Sequence, residues 1–290
     1  MPAIRHGLAL CAALAVLAGC AREAAGPPAV PAASAQRIVA LAPHLAELVY
    51  SAGADERLVG VVAFSDFPPE VKALPQVGDA FRVDYEAITA LQPDLVLAWT
   101  SGNPPETVAR LRALGLPVVA LEPARIADVA DHIERIGALA GTMDQAATTS
   151  ARFRERLAAL THQADGAESL RVFVQITERP YFTVTDRHFL GQALRLCGGE
   201  NVFGALPGLT ATVGLEAILE ARPAVIIASD MGGAGATPLA GWAAWPDLPA
   251  VRAGNLYAID ADLLSRPSVR ILDGVQALCG VLEEARAKER

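Results

Sequence analysis

The sequence contains one pattern twice, and this repeat constrains the fold more than any other feature. Residues 84–99 (DYEAITALQPDLVLAW) and residues 214–229 (GLEAILEARPAVIIAS) align without a gap. Each copy begins with apolar residues at helical spacing. Pro93 or Pro223 then ends the helix, because proline disfavours helical backbone in the residue before it. A continuous apolar run follows, which is typical of a strand buried on both faces of a parallel sheet. Two copies are too few for a solenoid, so the repeat predicts two similar α/β lobes with a cleft between them.

The rest of the chain alternates strand and helix patterns, which predicts the α/β class with mainly parallel sheets. The longest helical pattern without glycine or proline runs from Met143 to about Gln163, between the two copies. We interpret it as a single long backbone helix that joins the lobes as a rigid strut. The predicted organisation is an N-terminal lobe (residues 37–142), an interlobe helix (143–165) and a C-terminal lobe (166–290).

Composition and charge exclude one broad class of function. The chain has 290 residues, enough for two domains, and 52% of them are hydrophobic, so each lobe can build a core. Its formal net charge is −8, whereas a general nucleic-acid binder needs a basic face to neutralise phosphates. We therefore expect no nucleic-acid partner.

The first residues have the design of a secretory signal. A weakly basic start precedes an apolar stretch, residues 8–17, that is too short to span a bilayer. The Leu-Ala-Gly-Cys sequence that ends at Cys20 resembles a bacterial lipobox, in which the cysteine becomes the lipidated first residue. This predicts a signal peptide (residues 1–19), an Ala- and Pro-rich linker (20–36) and a lipoprotein anchored at the periplasmic or extracytoplasmic face of a membrane. The alternative is an ordinary signal in which Cys20 has no role.

Two of the remaining cysteines form a candidate disulfide. With the signal removed and Cys20 acylated, Cys197 and Cys279 are an even pair in an oxidising compartment, which favours a bridge. Such a bridge would attach the C-terminal helix to the second lobe. Two buried free thiols are the alternative.

Ligands of parallel α/β sheets bind beyond the carboxyl ends of the strands, so the loops at those ends are the candidate site. Aromatic residues gather in these loops, although they make up only 5% of the chain. A lone aromatic residue under a loop usually belongs to a core, but a group of them on both lobes indicates a flat apolar cleft with a few polar groups. The residues are Phe64, Phe67, Trp99, Tyr181 and Phe182.

Four motifs add a resemblance to a known family. The runs at residues 65–69 (SDFPP), 92–99 (QPDLVLAW), 197–201 (CGGEN) and 260–271 (DADLLSRPSVRI) are similar to the substrate-binding proteins of ABC importers for cobalamin and iron–siderophores. The CGGEN run recurs across that class, whereas the others resemble the cobalamin (vitamin B12) binders in particular. The resemblance covers nearly all of the chain after the linker. It implies the class III periplasmic binding protein fold, with two lobes joined by one backbone helix and a corrinoid bound between them.

Carried onto this sequence, the resemblance implies a ring-lined pocket with a polar loop. Phe64 takes a position that the family fills with a ring against the corrin. Pocket tryptophans of the family fall at Ala80 and Thr210 here, and we expect Phe81 to supply the missing surface. Because of these two changes, a different corrinoid, a siderophore or haem remains an alternative ligand. Cys197 and Cys279 match the family's disulfide. The implied ligand-binding residues are Phe64, Phe81, Trp99, Phe182, Asp262, Arg266 and His44.

His44 is the one residue with a possible role toward a metal. It lies where a strand ends and a helix begins, so a neutral imidazole there could be an axial ligand of the corrinoid's cobalt. The alternative is a histidine that caps the helix or faces solvent. His132, His162 and His188 have no ligand spacing and are expected at the surface, and no constellation supports a site for a bare zinc or manganese ion.

Glu86 and Glu216 occupy equivalent positions near the start of the two repeated helices. A carboxylate there complements the helix dipole by roughly 0.3–1 kcal/mol. The resemblance implies a second role, in which one glutamate on each lobe docks into arginine pockets of the importer's membrane subunits. We expect both.

These observations predict a monomeric, lipid-anchored receptor that binds cobalamin or a related corrinoid, without a permanently bound cofactor, and delivers it to an ABC importer. The alternative within the class is an iron–siderophore or haem receptor. The alternative outside it is a secreted two-lobe enzyme, but no nucleophile–base pair has a recognisable spacing and no nucleotide-binding glycine loop is present. We expect no catalytic residues.

Overall fold

The computed structural model describes residues 34–163, 166, 168–230 and 239–288. The predicted signal peptide, Cys20 and nearly all of the linker lie outside the described residues. None of the helices within the described ranges is long and apolar enough to cross a membrane.

The first lobe contains a parallel four-stranded sheet in the order β2-β1-β3-β4. Helices follow the strands along the chain, as the alternating pattern predicts. The strands are β1 (Ile38–Ala40), β2 (Leu58–Val61), β3 (Leu95–Trp99) and β4 (Val118–Leu121), and the helices are α1 (Pro43–Ser51), α2 (Tyr85–Ala90), α3 (Pro105–Ala113) and α4 (Asp128–Ala140).

After α5 (Met143–Gln163), the second lobe repeats this architecture with a parallel sheet in the order β11-β10-β5-β8. The α/β class with mainly parallel sheets is thus confirmed. The strands of this sheet are β5 (Leu170–Gln175), β8 (Gly199–Asn201), β10 (Val225–Asp230) and β11 (Leu256–Asp260), and the helices are α6 (Phe189–Leu196), α7 (Leu215–Ala221), α8 (Pro249–Arg252), α9 (Ala261–Ser265) and α10 (Ile271–Lys288).

The two repeated stretches form equivalent parts of the two sheets. The first becomes α2 and β3, and the second becomes α7 and β10. Both strands are internal in their sheets and are buried along almost their whole length. Burial on both faces is what a continuous apolar run indicates, and the prediction of two helix–strand units is confirmed.

Two segments that the sequence analysis treated as loops are regular structure. The first forms an antiparallel hairpin, β6 (Thr177–Glu178) and β7 (Tyr181–Val184), and β7 also pairs with β9 (Thr210–Val213). The second, after β11, is helix α9, whose first turn is capped by the Asp260 side chain. The sequence pattern predicts neither element. The hairpin depends on pairing with β9, which lies elsewhere in the chain, and α9 has only five residues.

Helix α5 joins the two lobes and has the predicted extent. Its Arg154 forms salt bridges with Asp131 and Glu134 of α4, at 2.7 and 2.5 Å. Its Arg156 forms one with Asp273 of α10, at 2.6 Å. These pairs are exposed enough that each contributes little to stability, but they show that one helix contacts both lobes.

The predicted disulfide is present between Cys197 and Cys279, with an S–S distance of 2.03 Å. It connects the residue after α6 to the middle of α10, across 82 positions of sequence. By the chain-entropy account, closing a loop of this length stabilises the fold by about 4 kcal/mol. The C-terminal helix is therefore held covalently to the second lobe.

Candidate functional site

The carboxyl ends of both sheets border an open cavity of about 630 Å³, which we call the acidic cavity. Residues from both lobes form its walls. Its size falls in the usual range for small-molecule sites, and its place agrees with the rule for parallel sheets. The lining residues are Pro43, Phe64 and Asp66 from the first lobe, and Asp230, Asp260, Ala261, Asp262, Ser265 and Arg266 from the second.

Phe64 presents its ring to this cavity. The side chain is 77% exposed, although burial of a phenyl ring stabilises a fold. Its backbone has φ 65°, a left-handed conformation that bulky residues rarely adopt. Strain of this kind costs on the order of 1–3 kcal/mol and gathers at ligand sites. Phe64 therefore combines an exposed ring and a strained backbone at the wall of this cavity.

Carboxylates dominate the polar groups of the acidic cavity. Asp230 and Asp260 are paired in register at the ends of β10 and β11. Asp260 also accepts a hydrogen bond from the backbone N–H of Asp262, at 2.8 Å. Asp66 joins them from the first lobe. Asp230 is not among the residues predicted from the sequence, although it directly follows the apolar run of the second repeat.

Arg266, the one guanidinium among the described residues that line the acidic cavity, connects the two lobes. Its Nη1 lies 2.5 Å from Asp66 Oδ1 in the first lobe, and its Nη2 lies 2.8 Å from Asp262 Oδ1 in the second. Burial raises the pKa of Asp262, and the positive charge of Arg266 opposes that effect. Asp262 and Arg266 thus lie at the cavity, where the sequence analysis expected them.

A smaller cavity, about 280 Å³, lies where Trp99 meets the second lobe; we call it the tryptophan cavity. Its lining is mostly apolar, with a few polar side chains between the rings. The residues are Trp99, Ser101, Glu122, Pro123 and Ala124 from the first lobe, and Arg187, His188, Phe189 and Leu209 from the second.

Trp99 is held in place by close packing. The ring of His44 meets the indole edge to face, with centroids 5.0 Å apart. Gly102 leaves room for it, since a Cβ at Gly102 would lie 1.8 Å from Trp99 Cε3. The side chain of Asn103 accepts from the Trp99 backbone N–H at 2.7 Å. The position of the indole is therefore determined by the fold before any ligand binds.

His44 neither caps a helix nor faces solvent, so the alternative considered from the sequence is wrong. Only 3% of the residue is exposed, so it does not face solvent, and its side chain makes no hydrogen bond that caps α1. Burial, followed by the charges of His132 and Arg266, lowers the pKa of His44 to about 3. A buried neutral imidazole packed on Trp99 supports that ring, and this packing favours a supporting role over that of an axial ligand.

His188 lines the tryptophan cavity, so the prediction of a surface position is wrong. Its Nδ1 accepts a hydrogen bond from the backbone N–H of Leu190, at 3.1 Å, and so caps α6. Burial lowers the pKa of His188 to about 4. With Nδ1 occupied as an acceptor, the neutral ring carries its proton on Nε2 and is a hydrogen-bond donor.

Comparison with known proteins bears on this two-lobe cleft. Residues 38–263 match the periplasmic binding protein family. The chain is 34% identical to the vitamin B12-binding protein of Vibrio cholerae over 253 residues, which is 87% of this chain and 91% of that protein. It belongs to the periplasmic binding protein family.

Solved structures agree with this assignment. The structure of the periplasmic vitamin B12-binding protein BtuF of Vibrio cholerae matches 87% of this chain and 98% of that one, with a TM-score of 0.81 and 34% identity. The haem-binding protein BhuT, solved with two haems, matches with a TM-score of 0.77 and 25% identity over 87% of this chain and 99% of that one. The class III fold expected from the motifs is therefore confirmed for this periplasmic binding protein, and its relatives are binding proteins rather than enzymes.

The other predicted rings of this binding protein have mixed outcomes. Phe81 is 72% exposed, on a loop that the Asn103 side chain holds by donating to the carbonyl of Ala80 at 2.8 Å. Phe182 is half-buried on β7 and does not belong to the lining of either cavity. Tyr181, expected at the cleft, instead packs against Trp242 in the core of the second lobe.

Glu86 and Glu216 lie at matching positions on the outside of this binding protein. Each is exposed in the first turn of its short helix, α2 or α7. Within the described ranges neither carboxylate has an ion-pair partner. Among these same residues, no group of three or more His, Cys, Asp or Glu side chains is placed to hold a metal ion.

Proposed function

We propose that this protein captures cobalamin or a related corrinoid in the cleft between its lobes and delivers it to the membrane subunits of an ABC importer. The observation that carries the proposal is the acidic cavity, which both lobes line and to which the exposed ring of Phe64 is presented. The 34% identity to a vitamin B12-binding protein, which extends over 91% of that protein, also supports the proposal.

The charge of the acidic cavity favours a corrinoid over haem. Among the described residues, its lining has four aspartates and a single arginine. That arginine is already paired with Asp66 and Asp262. The edge of a corrin carries neutral amides, whose N–H groups can donate to carboxylates. Haem carries propionate carboxylates, which would meet charges of the same sign. Like charges in a partly dehydrated site oppose binding.

In this proposal the predicted residues divide into rings and polar groups. Phe64, Phe81 and Trp99 contribute flat apolar surface to the corrin, while Asp262 and Arg266 hydrogen-bond its amide side chains. Phe182 lies outside the lining of both cavities and would have to reach the corrin from the hairpin of the second lobe. His44 supports Trp99 and stays away from the cobalt. The cobalt ion is part of the cargo, and the protein itself carries no permanent cofactor.

Delivery would use the two exposed glutamates. Glu86 and Glu216 lie on equivalent helices of the two lobes, which suits a transporter whose two membrane subunits are related by a two-fold axis. The N-terminal segment would keep the receptor near that transporter, as a lipoprotein anchored through Cys20 after removal of residues 1–19. The receptor would work as a monomer in the periplasm, without catalytic activity.

A haem or iron–siderophore receptor is the second candidate, because BhuT shares the fold at 25% identity. Titration of the purified protein with cyanocobalamin and, separately, with haemin distinguishes the two. We expect an absorbance change with cyanocobalamin at sub-micromolar concentration. Cyanocobalamin should bind more strongly than haemin by at least ~1.4 kcal/mol. A Phe64→Ala variant should give a weaker response to cyanocobalamin. Saturable binding of haemin with no response to any corrinoid would establish the second candidate instead.

A further inference from the structure

Glu47 places a buried carboxylate at the contact between the two lobes. It lies on α1 in the first lobe, and its side chain is 1% exposed. Among the residues that the structure describes, the hydrogen-bond donors to its carboxylate all come from the second lobe. Ser268 Oγ donates to Oε2 at 2.6 Å, Arg270 Nε donates to Oε2 at 2.9 Å, and Arg270 Nη2 donates to Oε1 at 2.7 Å. We call this set, with Arg266, the Glu47 cluster.

The cluster satisfies the buried carboxylate completely. Arg270 binds both oxygens in the bidentate geometry that makes such pairs strong and directional, and Arg266 Nη1 approaches Oε1 at 3.4 Å. The hydrogen bond to Glu47 raises the pKa of Arg270, and its burial opposes this. Phe67 of the first lobe adds a cation–π contact, with its ring centroid 4.1 Å from the Arg270 guanidinium. A contact of this kind resists separation, because loss of one partner leaves a buried charge unpaired.

The Glu47 cluster also borders the acidic cavity. Arg266 belongs to both, since its Nη1 is shared between Glu47 and Asp66. The segment from Arg266 to Arg270 leads from α9, which lines the cavity, into α10, which the disulfide holds to the second lobe. The distance between the cavity walls therefore depends on where Glu47 holds this segment.

We propose that Glu47 is a positioning residue that fixes the second lobe against the first and so sets the width of the cavity and the placement of Arg266. The effect on ligand affinity rests on the proposed function, whereas the effect on lobe placement does not.

The test substitutes Glu47→Gln, which keeps the size of the side chain and removes its charge. One spin label on each lobe reports the interlobe distance by pulsed electron paramagnetic resonance, without ligand. We expect a broader distribution of distances than in the wild type. Cyanocobalamin should bind about tenfold more weakly or worse, as when one partner of a buried charge pair is removed.

Glu134→Gln is a matched control. Glu134 accepts from Ser150 Oγ at 2.6 Å and from Arg154 at 2.5 Å, the same kinds of donor, but at the contact of α4 with α5. It should leave the interlobe distances and the affinity unchanged, even where it lowers the melting temperature. A change in both readouts as large as that of Glu47→Gln would reduce Glu47 to a general stabilising role and overturn the proposal.

An interlobe distribution in Glu47→Gln that equals the wild-type one would also overturn it. If that variant does not fold, Ser268→Ala takes its place, since it removes one hydrogen bond to Glu47 and keeps the ion pair; it should broaden the distribution to a smaller extent, and an unchanged distribution counts against the proposal. A wild-type protein that binds no cyanocobalamin refutes the corrinoid function alone, because the distances are measured without ligand.

Discussion

His44 and Trp99 meet edge to face, with their ring centroids 5.0 Å apart and their planes at 86°. The imidazole belongs to the helix after β1 and the indole to the end of β3, so the contact fixes the carboxyl ends of two neighbouring strands. A ring held this way loses little conformational entropy when a ligand packs on it, which favours binding.

Gly102→Ala should displace this indole. A Cβ at Gly102 would lie 1.8 Å from Trp99 Cε3, far inside contact distance, so the ring must move. We expect cyanocobalamin binding to weaken by more than about 1 kcal/mol, as for loss of a buried aromatic contact, in an absorbance titration. Gly280→Ala is the control, since a Cβ there meets nothing within 4 Å. Unchanged affinity in Gly102→Ala would remove Trp99 from the ligand site.

Protonation of the buried histidines should destabilise the fold. Burial lowers the pKa of His44 to about 3 and that of His188 to about 4, from the ordinary 6.5. The unfolded chain therefore binds protons first, and the free energy of unfolding decreases as the pH falls below about 6.5. For His188 the loss reaches about 3 kcal/mol when the pH has fallen to its folded pKa. Urea unfolding between about pH 7 and pH 5 measures the slope.

His188→Asn is the matched variant for that experiment, because asparagine can also cap α6. It should reduce the slope by about half, because His44 still binds its proton only in the unfolded chain, and it should leave the stability near pH 7 almost unchanged. A slope equal to that of the wild type would assign the effect to other groups.

Removing carboxylates from the acidic cavity should change its selectivity. Asp230→Asn with Asp260→Asn keeps side-chain size and, at Asp260, the ability to cap α9. Haemin binding should strengthen relative to cyanocobalamin by about tenfold, as a like-charge penalty is removed. Asp247→Asn changes an exposed aspartate outside this cavity and should have no effect. Titration measures the ratio of the dissociation constants for haemin and cyanocobalamin. An unchanged ratio would refute the idea that the carboxylates select against the charge of haemin.

Glu86→Ala with Glu216→Ala should uncouple binding from import. Both carboxylates lie outside the two cavities, so ligand affinity should stay at the wild-type value while uptake by transporter-containing vesicles falls by about tenfold or more. Glu106→Ala removes an exposed glutamate from the same first-turn position of α3 and controls for the dipole effect. Normal transport by the double variant would exclude docking through these residues.

Cys197→Ser with Cys279→Ser should lower the free energy of unfolding by about 4 kcal/mol, because the unfolded chain regains the conformational entropy that closure of this loop removes. Denaturant unfolding measures it, and the wild type unfolded under reducing conditions should show the same loss. A loss below about 1 kcal/mol would mean that the packing of α10 stabilises the second lobe without the bridge.

Much of the fold could be predicted because it depends on local patterns. The apolar runs that became β3 and β10 report burial on both faces, and the absence of glycine and proline from 143 to 163 predicts α5 with its observed bounds. Cysteine parity and compartment predicted the disulfide. The site was predicted in part: Phe64, Trp99, Asp262 and Arg266 line the cavities because strand exits can be read from the sequence.

The sequence by itself determined the two α/β lobes, the connecting helix and the loops that form the cleft, since hydrophobic period and proline position act over a few residues. Only the tertiary structure decided which polar groups meet there. Glu47 and Arg270 are 223 positions apart, and no spacing rule links a carboxylate in one lobe to a guanidinium in the other. The same holds for the burial of His44 and the cap made by His188, because desolvation depends on what the whole fold packs around a side chain.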